Sequence, residues 1–137
     1  MLLYLQLSAL LNFLVSILLG SFVLLKSPRG KVNRWFFLWC FSVAVWAFFY
    51  YFWQIEDSKE LALLWTRLLM LGAVWVPFTS LSVVTLFLNI KENKKNILNL
   101  NLGLAVLFSF LLVTPLMVSH IESVLEFRNW PKPGILY

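Results

Sequence analysis

The sequence is poor in charge. Only 12% of its 137 residues are Asp, Glu, Lys or Arg, about half the share of an ordinary soluble domain. With 61% hydrophobic residues, such a chain cannot dress a water-facing surface in the usual way, and a bilayer is the solvent its composition fits. Cysteine is nearly absent: Cys40 stands alone, which excludes an intrachain disulfide. A P-loop, an HExxH helix and a GxSxG elbow are all missing, and Cys40 has no histidine within its own helix to activate it. No Asp or Glu falls within any long apolar run. That removes paired-acid catalysis inside the membrane, and also the buried carboxylate a small proton-coupled exporter would need. The chain is therefore read as a protein other than an enzyme. The N-terminus lacks the basic n-region and small-residue cleavage site of a signal peptide, and its first basic residue, Lys26, follows the apolar run. The first segment reads as a retained helix.

What remains is four long apolar stretches, about residues 2–25, 35–55, 61–89 and 97–118. Each reaches the roughly 20 residues that carry an α-helix across hydrocarbon. None shows the apolar–polar alternation of a membrane β-strand. The expected fold is an all-α membrane protein, a bundle of about four transmembrane helices in one domain over residues 1–137, with an extracytoplasmic tail over 119–137. The connectors differ in sign. The first holds Lys26, Arg29, Lys31 and Arg34 without an acid, the second Glu56, Asp57 and Glu60 against Lys59, the third Lys91, Lys94 and Lys95 against Glu92. Basic connectors stay in the cytoplasm. The N-terminus and the second connector then face outward in a bacterial inner membrane.

Local chemistry sharpens the boundaries. Ser27-Pro28-Arg29-Gly30 is a turn, and Asp57 or Ser58 stands where a cap of the third helix belongs. Trp130-Pro131-Lys132-Pro133-Gly134 cannot continue a helix. Before it, Ile121, Val124 and Leu125 share a helical face, so a short interfacial helix is expected there. Ile135-Leu136-Tyr137 resembles the opening of another helix.

Three residues stand out as candidates for ligand binding or signalling: Arg67, Trp46 and Pro77. Arg67 is the only ionisable group inside a span, and a charge in lipid is expensive. It lies within two turns of the acidic connector, so it can snorkel outward or pair with Glu56, Asp57 or Glu60. Trp46 falls near the middle of the second span, where its indole N–H needs a partner and the ring should face other helices. Pro77 interrupts the third helix, with Gly72 before it and Thr79, Ser80 and Ser82 nearby to bond the freed backbone. It is a packing kink or a hinge. Ser8, Asn12, Ser16 and Gly20 recur every four residues in the first helix, the spacing of a close helix–helix seam. His120, Glu122 and Glu126 are too few and too flexible for a metal site. No metal or cofactor is expected.

Several stretches in order resemble a known family. Leu18-Leu19-Gly20 leads through Val23-Leu24-Leu25-Lys26 to Pro28; Asn33-Arg34-Trp35-Phe36 opens the second helix; Trp46 stands in Ser-Val-Ala-Val-Trp-Ala; Trp65-Thr66-Arg67-Leu68 leads through Gly72 to Pro77. Together they resemble the seven-helix membrane region at the N-terminus of certain bacterial histidine kinases, over about residues 5–130. The resemblance implies a sensory input module with an extracytoplasmic N-terminus. It implies no kinase activity for this chain, which holds no catalytic module. The competing expectations are a small oligomeric transporter or channel subunit, with Ser8-Asn12-Ser16 or Ser82-Thr85-Asn89 as its polar line, and an accessory membrane protein. Expected partners are the lipid bilayer and, through helix faces, a signalling partner or a second copy; nucleic acid is not among them. A reporter active only in the cytoplasm should work when fused near Gly30 or Asn93 and fail near Ser58, and the reverse pattern would invert the orientation.

Overall fold

In the computed structural model, which describes residues 2–89, 95–124 and 127–135, four helices are followed by a hairpin. They are α1 (Leu2–Lys26), α2 (Lys31–Ile55), α3 (Lys59–Phe87), α4 (Lys95–Val113), β1 (Val118–Val124) and β2 (Phe127–Pro133). The all-α membrane architecture expected from the sequence is present. α1, α2 and α3 are long and apolar enough to cross a membrane. The fourth helix is shorter, 19 residues, or about 28 Å at 1.5 Å per residue.

Each boundary has a local cause. The chain leaves α1 through the Ser27–Gly30 turn, closed by Gly30 N–H donating to Ser27 O at 3.2 Å. The Asn33 amide then donates to Val23 O and Ser27 O, both at 3.2 Å, and Arg34 Nε donates to Pro28 O at 2.8 Å. These side chains satisfy carbonyls that the end of a helix leaves open. α2 consequently begins at Lys31, inside the basic connector and ahead of its apolar run. Ser58 occupies the N-cap position of α3 without a side-chain cap bond. Asn89 follows α3 with φ 47°, the left-handed conformation that ends helices and that Asn tolerates. Most of the third basic connector, including Lys91 and Lys94, lies outside the described residues.

Two expectations are corrected. The fourth helix stops at Val113 and does not run to residue 118, because Pro115 forces Thr114 out of the helical region. Thr114 instead bonds Leu111 O through both its N–H (3.0 Å) and its hydroxyl (2.6 Å). The tail is a two-stranded antiparallel ribbon, not an interfacial helix. Val118 faces Pro133, Ile121 faces Pro131 and Glu122 faces Trp130, with register irregularities between Val118 and His120 and between Glu122 and Val124. Those bulges set Val118 and Ile121, both buried, three residues apart. A bulged strand thus acquires a spacing that reads as helical. Ile135 follows the turn beyond β2, and Leu136 and Tyr137 lie outside the described residues.

The helices pack in chain order, α1 on α2, α2 on α3 and α3 on α4, with no comparable contact joining α1 to α3 or α4 among the described residues. Small residues make the close approaches. A Cβ placed on Gly20 would lie 2.7 Å from Cys40 Cβ, and one on Gly72 would lie 2.7 Å from the Trp46 backbone nitrogen. Beside them Ala9, Ser16, Ala44, Ala47 and Ala62 are buried. The predicted seam of α1 is therefore real at Ser16 and Gly20. It passes through Ala9 in place of Ser8, which is exposed and bonds its own helix at Leu5 O. The outer faces of α1 and α4 present Leu7, Leu18, Phe22, Leu100 and Phe110 to the surroundings. In water they would form a large apolar patch; in lipid no such conflict arises.

Gly72→Ala should cost about 1–3 kcal/mol, because the added methyl meets backbone that cannot turn aside. Gly103 has nothing within 4 Å of an added Cβ, so Gly103→Ala should be neutral or stabilise by roughly 0.5–1 kcal/mol. Unfolding in mixed detergent micelles measures both. Equal effects of the two substitutions would contradict the close α2–α3 crossing.

Candidate functional site: an aromatic cleft beneath the hairpin

The last two turns of α2 are almost wholly aromatic, and helical spacing sorts the rings onto two faces. Trp46, Tyr50 and Trp53 stack in file, with ring centroids 5.5 Å apart at both steps and interplanar angles of 6° and 20°. On the other face Phe49 and Phe52 pack on Trp65 of α3, at 5.8 and 5.4 Å. Trp53, Ala62 and Leu69 form the buried centre between the two helices.

Glu56 organises the turn. Its Oε1 accepts the Asp57 and Ser58 amides, each at 3.1 Å, and its Oε2 accepts the Trp65 indole N–H at 3.0 Å. The Trp65 indole first, and the Ser58 amide after it, hold this carboxyl below its ordinary value. One residue of the hairpin completes the arrangement. Asn129, only 5% exposed, donates from its side-chain amide to Glu56 O, while its own carbonyl accepts the Trp53 indole N–H at 2.7 Å. The neighbouring Trp130 lies edge-on to Trp53 at 6.3 Å. Between them these residues border a cleft of about 270 Å³. Trp46, Tyr50 and Trp53 form one wall, Thr66, Leu69 and Met70 the other, and Trp130 and Pro131 close it.

The hairpin surface carries a second polar cluster. Ser119 Oγ and Glu122 Oε1 each lie 2.9 Å from a ring nitrogen of His120, and Lys132 Nζ lies 3.1 Å from Glu122 Oε2. The His120 and Lys132 bonds hold the Glu122 carboxyl below its ordinary value. All of these groups are exposed, so the cluster fixes the ribbon without burying charge. No three metal-ligating side chains gather among the described residues, and Glu126 lies outside them.

The three singled-out residues do not converge. Trp46 lines the cleft, and its backbone meets Gly72; its indole N–H makes no hydrogen bond among the described residues. Arg67 is half-buried, its Nε is occluded without a hydrogen-bond partner, and no ion pair to Glu56, Asp57 or Glu60 forms among the described residues. Glu56 has been claimed by the turn amides and Trp65. Pro77 is exposed on an unbroken α3. Its missing N–H frees the Ala73 carbonyl, yet the nearby hydroxyls bond elsewhere: Thr79 to Trp75 O (2.8 Å), Ser80 to Pro77 O (3.1 Å) and Ser82 to Phe78 O (2.8 Å). Ser82 and Thr85 are buried and bond back to their own helix, so they do not line a water path. Sequence reading missed Asn129, whose partners lie more than 70 residues away. It also missed Gln54, whose side-chain oxygen and nitrogen are both buried without a partner. A lone amide inside an aromatic run was the available signal for Gln54.

The family model of the N-terminal 7TM region of histidine kinase matches residues 8–137. The chain belongs to this family. No curated protein and no solved structure matches the chain. The family is a sensor region and not a catalytic domain, and the matched span of this 7TM region takes in the cleft, the Glu56 turn and the hairpin together.

Because the Glu56 carboxyl sits below its ordinary value of 4.5, its contribution to the turn is complete above that pH. It is lost as the pH falls through the lower folded value. Acidification below that pH should therefore progressively loosen the turn, seen as lower protection of the Asp57 and Ser58 amides relative to their intrinsic exchange rates. Glu56→Gln should already be loose at pH 7. An identical acid transition in Glu56→Gln would remove Glu56 from the account.

Proposed function

We propose that this chain is the membrane-embedded input part of a signalling protein. In this reading it is a multi-pass protein of the inner membrane, with its N-terminus and hairpin outside and the basic connectors in the cytoplasm. The hairpin end receives the stimulus, and the α2–α3 pair carries it inward. Family membership supports the sensory role. The observation that carries the mechanism is the pair of hydrogen bonds Asn129 makes to α2 and its C-cap. One buried residue ties the ribbon to the carbonyl of Glu56, the C-cap of α2, and to the Trp53 indole, so displacement of the ribbon acts on the end of α2.

From there the close Gly72–Trp46 crossing couples α2 to α3. Interfaces packed at this distance shift between discrete arrangements more readily than they deform continuously. Pro77 gives α3 a point of bending below the crossing. Arg67 is the charged group on this route, and its unpartnered Nε suits a residue whose partner changes between states.

The test is made in a histidine kinase that carries this region. Asn129→Ala removes the side-chain bond to Glu56, worth about 0.5–1.5 kcal/mol. It should change the ratio of active to inactive kinase by roughly three- to tenfold with unchanged membrane insertion. Arg67→Gln should also alter output while Arg67→Lys preserves it. Autophosphorylation that is the same in all three variants would contradict the reading.

A further inference from the structure

The cleft beneath the hairpin has the dimensions and lining of a ligand site. Its volume of about 270 Å³ exceeds the roughly 150 Å³ hollow that accepts a benzene ring. It falls just short of the about 300 Å³ at which ordinary ligand pockets begin. Room of this size suits one or two fused rings. The walls are aromatic and aliphatic, and no Asp, Glu, Lys or Arg contributes to them. A charged ligand would leave water without an opposite charge to meet it.

Polar groups remain for orientation. The Trp53 indole N–H is committed to Asn129 O and the Thr66 hydroxyl to Ala62 O. The Trp46 indole N–H and the Tyr50 hydroxyl make no hydrogen bond among the described residues, so one donor and one donor–acceptor are left for a guest. Trp130, which closes the cleft, is 43% exposed and belongs to the ribbon, so a guest touches both the helix pair and the hairpin. We propose that this cleft binds a small, neutral, one- or two-ring molecule carrying a single hydroxyl or comparable polar group. Its role as the stimulus rests on the sensory reading above; its binding does not.

The probe is 2-naphthol, with 2-naphthoate and trimethylphenylammonium as its anionic and cationic counterparts. Equilibrium dialysis against the protein in lipid nanodiscs, with empty nanodiscs subtracted, reads the bound excess. The expected result is saturable uptake of one 2-naphthol per chain, at least tenfold weaker in Trp130→Ala and at least threefold weaker in Tyr50→Phe, which keeps the ring stack. Both charged probes should bind at least tenfold more weakly. Uptake that merely follows lipid partitioning, equal in the protein and both variants, would overturn the proposal, as would tighter binding of the ammonium. Either failure leaves the kinase experiment on Asn129 untouched.

Discussion

Asn129 is the residue on which the organisation of the hairpin end depends. It is a polar side chain in a ribbon, yet it is buried, and both its amide and its backbone carbonyl are spent on α2. In an apolar setting an unsatisfied carbonyl is costly. The carbonyl of Glu56, the C-cap of α2, and the Trp53 indole both need partners, and a single asparagine supplies them. The ribbon is thereby held over the aromatic file of α2, and the cleft exists because of that placement.

The opposite end follows the same logic with different residues. Asn33 and Arg34 reach back to the carbonyls of the first turn, so the α1–α2 connector, like the Glu56 turn, is closed by side chains that satisfy backbone. Between the two ends, glycine and alanine set the spacing. Gly20 admits Cys40 and Gly72 admits Trp46, and van der Waals contact at these crossings replaces the hydrophobic driving force that lipid cannot provide. The helices form a row in chain order, which leaves α1 and α4 with broad apolar faces toward the surroundings.

Much of this was legible in the sequence because its cause was local. Apolar run length announced four helices, the Ser27–Gly30 turn was visible in its residues, and the Ser16–Gly20 spacing announced a seam. The failures have physical reasons. Pro115 ends α4 early, a local rule that apolar run length conceals. The ribbon reads as a helix in the sequence because Ile121 and Val124 stand three residues apart, a spacing that the irregularity between Glu122 and Val124 accommodates within a strand. Asn129 was illegible because its partners lie at the far end of α2 and no local pattern marks a distant acceptor. The expected pairing of Arg67 with the acidic connector does not form among the described residues. Glu56, one of the expected partners, is instead engaged by two amides of its own turn and the Trp65 indole of α3.

The docked ribbon is the central claim, and the Trp53 indole proton reports on it directly. In isotope-labelled protein in lipid nanodiscs, solvent exchange of that proton can be followed by nuclear magnetic resonance. A bond to the Asn129 carbonyl predicts slow exchange and a shifted resonance, relative to free tryptophan under the same conditions. Exchange of the Trp53 proton at the rate of a freely exposed indole would show that the ribbon does not rest on α2.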